Sequence, residues 1–299
     1  MIEVKSRAET TSYSVRDRVS DYVELLKGRL SILVAFSSVF GYVLGVNGSI
    51  DWLVMFMLFV GGFLISGAAG TLNQVFEKDY DAMMKRTSDR PLPQGRLSVQ
   101  EAFIFAASTG IAGILLLIQF TNPLTTSLAV LSMVLYSLVY TPMKRVGPIA
   151  VAIGAVPGAM PPLLGWVAAT GTISHEALII FGIQFIWQFP HFWAIAWVGD
   201  EDYKKAGFKL LPLGGRKDLN TAIQIMIYTL FLIPLGLLPA YFGITGIHSA
   251  IIVTICGVLF LAQTFTLMKD CSRQAALRIM FGSFIYLPVV QIAYVVDKL

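Results

Sequence analysis

Charged side chains are scarce in this chain. Asp, Glu, Lys and Arg make up only 13% of its 299 residues, about half the share found in an ordinary soluble domain. That excludes a globule with a normal water-facing surface. Cysteine is rarer still: Cys256 stands inside an apolar block and Cys271 in a short connection, so no disulfide framework is expected. Residues 1–28 are polar and contain no short apolar stretch with a small-residue cleavage site, so no removable signal peptide is expected. The acids Glu3, Glu9, Asp17, Asp21 and Glu24 in this segment also argue against a mitochondrial transit peptide, a class poor in acids. Residues 15–27 can form a surface helix and carry no evident catalytic group.

What fills the chain is apolar. Hydrophobic residues reach 56% and the mean hydropathy is +0.72. They come in blocks of about 20, the length a helix needs to cross a hydrocarbon core of about 30 Å. Nine blocks can be read, roughly 29–49, 52–76, 99–119, 123–142, 147–168, 175–198, 219–240, 246–267 and 274–296. A buried soluble core accounts for one or two such blocks, not nine. The expected fold is all-α, a polytopic membrane helix bundle of about nine transmembrane helices. Residues 1–28 would be a cytoplasmic N-terminal segment and 29–299 a single transmembrane domain.

Basic residues flanking the blocks predict the orientation, because Lys and Arg are retained on the cytoplasmic side. Of 22 such residues, the alternation of blocks puts 21 on one side and leaves only Lys298 opposite. Lys5, Arg7, Arg16, Arg18, Lys27 and Arg29 precede or open the first block and enter this tally as topology charges. The N-terminus is therefore expected inside and the C-terminus outside. The pI near 9.0 follows from the same signal and implies no nucleic acid, although surface cations can attract anionic lipid or an anionic substrate.

The outward connections are short and bland, for example Asn47-Gly48-Ser49 and Thr121-Asn122. Two inward ones are long, near 77–98 and 199–218, and together they hold eight of the 18 acids. Long loops carry function disproportionately, which predicts a working face on the cytoplasmic side. In the first segment Asn73, Glu77 and Asp81 are spaced i, i+4, i+8, so they line one helix face. The second reads Asp200-Glu201-Asp202-Tyr203-Lys204-Lys205. Lys-Asp-Tyr in one and Glu-Asp-Tyr in the other, each running on to Leu-Pro, form a weak internal repeat.

Carboxylates at this density repel one another unless something neutralises them. Mg²⁺ does so, usually held by a few carboxylates together with substrate phosphate oxygens. Lys85, Arg86, Arg90, Lys144, Arg145 and Lys204 can take the remaining phosphate charge, and a diphosphate held this way would depart easily. The alternative is that these are solvated loop charges, and for Lys144 and Arg145 topology charges. The predicted metal set is Asn73, Glu77, Asp81, Asp200, Glu201 and Asp202.

At these residues the chain resembles the UbiA superfamily of intramembrane prenyltransferases, with Glu77 where the family has the first Asp of its Asn-x-x-x-Asp-x-x-x-Asp motif. Within it, the resemblance is to the branch that farnesylates heme b. It is carried by Asp81-Ala-Met-Met-Lys-Arg-Thr87, Arg90-Pro-Leu-Pro93 and Tyr140-Thr-Pro-Met-Lys-Arg145. It continues in Gly154 to Trp166, in Trp187-Gln-Phe-Pro-His-Phe-Trp193 and in Asp202-Tyr203. The likeness is strong over residues 27–215 and rests on hydropathy alone beyond them. It implies farnesyl diphosphate and heme b as substrates, Mg²⁺ as cofactor, and Asn73, Glu77, Asp81, Glu201 and Asp202 as the catalytic set. It further implies a bacterial inner-membrane location with a cytoplasmic site, and heme A synthase or cytochrome oxidase assembly factors as partners. A different aromatic acceptor (hydroxybenzoate, a naphthoate or chlorophyllide) is the nearest rival. A transporter would hold its polar groups near the bilayer midplane, and a heme chaperone would not need both acidic segments.

His191 follows Gln184 and Gln188 as a polar stripe in the sixth block, and intramembrane polar groups usually face a bundle interior. It is either a hydrogen-bonded packing residue or, as the resemblance favours, a group beside the tetrapyrrole or on its iron. Trp187, Phe189, Phe192, Trp193 and Trp197 can stack on a porphyrin or anchor at the lipid interface. Pro190 threatens the continuity of this helix. Pro157, Pro161 and Pro162 with Gly154, Gly158 and Gly165 predict an irregular fifth span lining a cavity. His175 and His248 read as interfacial residues at outer span ends.

Overall fold

The computed structural model describes residues 14–299; Lys5 and Arg7, two of the topology charges, and the acids Glu3 and Glu9 lie outside the described residues. The helices are α1 (Val15–Leu25), α2 (Gly28–Gly45), α3 (Trp52–Met83), α4 (Val99–Phe120) and α5 (Pro123–Val134). A π-helical turn, Leu135–Tyr140, joins α5 to α6 (Thr141–Met143). After it come α7 (Ile149–Thr170), α8 (His175–Val198), α9 (Asp200–Lys205) and α10 (Pro212–Gly215). The chain closes with α11 (Leu219–Tyr241), α12 (Ile247–Asp270) and α13 (Arg273–Val296). Among the described residues, nine helical segments are long and apolar enough to span a membrane, in the positions the nine blocks predict. The chain is a multi-pass membrane protein.

Local signals set the helix ends. Ser14 and Ser98 form capping boxes with Asp17 and Glu101, each satisfying two orphan backbone donors. Asp51, Asn122, Asp218 and Ser272 cap α3, α5, α11 and α13 with side-chain oxygens. α1 is held against the bundle by Arg96 on Asp21 at 3.0 Å and by Arg18 on Glu101. At the opposite end Lys298 donates to the carbonyls of Val43 (2.8 Å) and Val46, so the one basic residue expected there closes the last turn of α2.

The centre of the bundle is α7, which packs on α2, α5 and α8. Its span is 72% buried, against 22% for α4. Lipid tails are as apolar as the helices, so close packing rather than hydrophobicity must drive their association. Two glycines permit it. A Cβ on Gly165 would lie 1.8 Å from the Ser38 carbonyl oxygen, and one on Gly41 would lie 1.9 Å from that of Pro162.

Despite its prolines α7 is continuous, unlike the broken helix that its composition predicts. A proline leaves the carbonyl four residues earlier without its helical donor. Pro161 frees the carbonyl of Pro157, which Ser132 Oγ reaches at 3.2 Å, and Pro162 frees that of Gly158, which Gln184 Nε2 reaches at 2.9 Å. Neighbouring side chains thus supply the missing donors. α8 likewise runs unbroken through Pro190 and stops at Gly199, so α9, which carries the second acidic segment, is a separate short helix.

Candidate active site

α3 is 32 residues long and continues past its apolar part, so Asn73, Glu77 and Asp81 are carried on helix rather than loop. All three are buried, with exposures of 2%, 4% and 1%. They line a cavity of about 200 Å³ with Lys27, Arg86, Arg90, Lys144 and Tyr140. Phe192, Ile195 and Val151 form part of its apolar wall, while Met84, Phe208 and Leu210 come from the connections.

Each polar group of the α3 face meets a cation. Lys27 Nζ donates to Asn73 Oδ1 at 2.7 Å, and Asn73 Nδ2 donates to Thr141 Oγ1 at 3.0 Å. Lys144 Nζ lies 2.8 Å from Glu77 Oε1 and 3.0 Å from Oε2. Arg90 Nη1 donates to Asp81 Oδ2 at 2.7 Å. Burial pushes the Lys27 ammonium down to about 7, and Arg90 and Lys144 add to the effect. Burial also opposes the charge on Lys144, but the Glu77 carboxylate leads the groups that hold it above its ordinary value. The π-helical turn brings Tyr136 and Tyr140 to the cavity, and Lys144 Nζ lies 4.8 Å from the Tyr140 ring centroid. π-Turns of this kind recur at functional sites.

The second acidic segment stands apart from this lining, except for Tyr203. Asp200 pairs with Lys204 at 2.8 Å and Lys217 at 3.3 Å, and Glu201 is exposed. Asp202 pairs with Lys205 at 3.1 Å, a bond that lowers its pKa, and accepts from the Arg86 backbone N–H at 3.3 Å. This last bond joins the two acidic segments. Lys85 and Arg145 are exposed, Arg145 lying 4.2 Å from the Tyr80 ring centroid.

The predicted acceptor-side residues form a second group. Gln188 donates to the Ala155 carbonyl at 2.9 Å and does not belong to the cavity lining. His191 is buried at the α8–α13 contact, stacked on Trp187 with centroids 4.5 Å apart. His191 Nδ1 lies 2.8 Å from Ser283 Oγ, whose own proton goes to the Met280 carbonyl at 2.6 Å. Ser283 Oγ is therefore the acceptor, which assigns the proton to Nδ1 and leaves the Nε2 lone pair unprotonated. Trp193 and Trp197 are buried in the core with Ala222 and Ile225 of α11 rather than placed at an interface. Phe192 touches both groups, with its ring 5.1 Å from that of His191.

Lys27, Tyr136, Phe208 and Ile195 were not among the predicted site residues. Lys27 reads in sequence as one more cytoplasmic charge, and only its left-handed backbone (φ 49°) at the start of α2 turns it inward.

The bundle thus places an amide and two carboxylates on one helix face, ringed by basic side chains beside an apolar wall, as an intramembrane enzyme requires. The UbiA prenyltransferase family matches residues 34–287, and the chain belongs to that family. Among its relatives is the protoheme IX farnesyltransferase of Cytophaga hutchinsonii, 53% identical over 93% of this chain and 97% of the relative. Solved structures of similar fold include two of note. A digeranylgeranylglyceryl phosphate synthase has a TM-score of 0.78 at 24% identity, covering 94% of this chain and 98% of its own. A UbiA homologue from Archaeoglobus fulgidus, bound to GPP and Mg²⁺, has a TM-score of 0.64 at 14% identity, covering 92% of this chain and 99% of its own.

Proposed function

We propose that this chain transfers the farnesyl group of farnesyl diphosphate to the 2-vinyl group of heme b, giving heme O. The carrying observation is the single cavity that joins the Asn73, Glu77 and Asp81 face to Lys27, Arg90 and Lys144, in a chain 53% identical to a protoheme IX farnesyltransferase.

The residues fit a divalent metal. Among the described residues no three acidic, histidine or cysteine side chains converge, but Mg²⁺ is commonly held by one or two carboxylates completed by substrate phosphates. Glu77, Asp81 and the Asn73 amide are hard oxygen donors of that type. Asp202, tied to the first segment through the Arg86 N–H, is the member of the second segment best set to join them, since Asp200 is paired with Lys204 and Lys217 and Glu201 is exposed. When bound, the metal neutralises charge on the departing diphosphate.

The chain's own residues do the rest. Lys27, Arg86, Arg90 and Lys144 bind the diphosphate oxygens, with Lys85, Arg145, Lys204 and Tyr203 around the mouth. As the allylic C–O bond breaks, its electron pair leaves with the diphosphate. The terminal vinyl carbon then bonds to farnesyl C1, water adds to the inner vinyl carbon, and a proton is lost. Tyr136, Tyr140, Phe192 and Ile195 keep water from the allylic carbon until that point. His191, with Nε2 free and Nδ1 fixed by Ser283, fits a heme iron ligand, since a ligating histidine usually donates its other N–H to a fixed acceptor. Trp187, stacked on its ring, positions it. The membrane is the bacterial inner membrane, the N-terminus and the cavity face the cytoplasm, and heme A synthase or oxidase assembly factors would receive the product.

The test is purified protein in lipid with Mg²⁺, farnesyl diphosphate and heme b. Heme O is the expected product, absent for Asp81→Ala and Asp202→Ala. Prenylation of a quinone precursor with no heme O would replace the acceptor, and full activity in both variants would overturn the site.

A further inference from the structure

In the cavity each α3 group proposed to hold metal already carries a basic side chain of the chain: Lys27 on Asn73, Lys144 on Glu77 and Arg90 on Asp81. These pairs are shielded from water. The Glu77 and Asp81 side chains are 5% and 1% exposed, and those of Lys144 and Arg90 are 13% and 19%. The lining is also not neutral, since Arg86, Arg90 and Lys144 alone outnumber its two carboxylates.

A bare divalent cation entering this space would have to strip the α3 face of its partners. It would leave Lys144 and Arg90 buried beside it without counter-charge, which is the costly way to break a buried pair, and Lys27 without its hydrogen-bond acceptor. A diphosphate meets the opposite situation. It enters an excess of positive charge, and its oxygens accept from the same ammonium and guanidinium donors that hold the carboxylates. Once those donors turn to phosphate, Glu77, Asp81 and Asn73 are released.

We propose that Lys27, Lys144 and Arg90 are placeholders for the metal and that metal binding is conditional on the diphosphate. The anion draws the three cations off Asn73, Glu77 and Asp81 and so opens the metal site. Lys27 and Lys144 are then positioning residues as well as phosphate contacts, and the metal does not load onto the protein before the prenyl donor. This inference rests on the diphosphate reading of the cavity.

The experiment measures Mn²⁺ binding by electron paramagnetic resonance on the full chain in lipid nanodiscs. Inorganic pyrophosphate is the anion, and its complexation of Mn²⁺ in solution is subtracted. In the wild type, Mn²⁺ alone is expected to bind at least tenfold more weakly than with saturating pyrophosphate. Lys144→Met should tighten binding of Mn²⁺ alone at least tenfold, by freeing Glu77, and shrink the enhancement by pyrophosphate. Lys27→Met should do the same through Asn73, and serves where Lys144→Met does not fold. Wild-type protein that binds Mn²⁺ equally well with and without pyrophosphate overturns the proposal. So do methionine variants whose affinity for Mn²⁺ alone is unchanged. Wild-type protein that binds neither pyrophosphate nor Mn²⁺ with pyrophosphate removes the diphosphate site itself, a different failure.

Discussion

Replacing Glu77 with Gln removes one charge from a pair only 2.8 Å apart and mostly shielded from water. The Coulomb attraction is the smaller part of what is lost. Lys144 is left among Arg86, Arg90 and Lys27 with no carboxylate of its own, and stranding one member of a buried pair costs about 3–5 kcal/mol. At about 2 °C per kcal/mol for a chain of this size, Glu77→Gln should unfold roughly 6–10 °C below the wild type. The double variant Glu77→Gln, Lys144→Met removes both charges and should recover most of that loss, because losing both partners of a buried pair is close to neutral. The assay is thermal unfolding followed by tryptophan fluorescence in detergent, without divalent metal. Glu77 helps hold the Lys144 ammonium above its ordinary value. The stabilisation from the Lys144 side is therefore fully present at neutral pH and fades as the pH rises beyond the lysine range. An unchanged melting temperature in Glu77→Gln, or a double variant whose loss equals the sum of the singles, would refute the reasoning. Turnover should fail in the single and double Glu77 variants alike, since both lack the carboxylate.

Three further outcomes are expected. Gly165→Ala puts a methyl group 1.8 Å from the Ser38 carbonyl oxygen, and forcing α2 from α7 should destabilise the fold by about 1–3 kcal/mol or more, read as a lower melting temperature. Ser283→Ala removes the acceptor that fixes the His191 proton on Nδ1; the KM for heme b should rise while that for farnesyl diphosphate stays constant in steady-state assays. Asp297 accepts from the Ser249 N–H at 2.6 Å, which leads the causes that lower its pKa. Asp297→Asn should therefore lower thermal stability at neutral pH, and the difference from wild type should vanish as the pH falls below the ordinary carboxylate range.

The spans were legible because a bilayer imposes one length and one polarity on every crossing segment, and that demand is local in sequence. Asn73, Glu77 and Asp81 were legible for the same reason: i, i+4, i+8 on a helix fixes a common face without knowledge of any other element. Partners from other helices were not. Gln184 and Gln188 read as an intramembrane polar stripe, yet Gln184 donates to the Gly158 carbonyl left open by Pro162 and Gln188 donates to the Ala155 carbonyl. Nothing near either glutamine in sequence signals a proline on the neighbouring helix. In sequence Lys27 shows only its charge and its side of the membrane, while its direction depends on its own left-handed backbone between two helices. The separation of Asp200 and Glu201 from the cavity follows from the break at Gly199, which hydropathy does not mark.

The π-helical turn at Leu135–Tyr140 bears on how such a site could arise. A wide turn takes one residue more than the α-helical turn it replaces, and one residue amounts to about 100° of rotation. Everything after it, including Thr141 beneath Asn73 and Lys144 on Glu77, owes its bearing to that surplus residue. Point substitution cannot produce or undo such a change. A one-residue deletion between 135 and 140 would therefore turn Lys144 away while leaving Asn73, Glu77 and Asp81 in place.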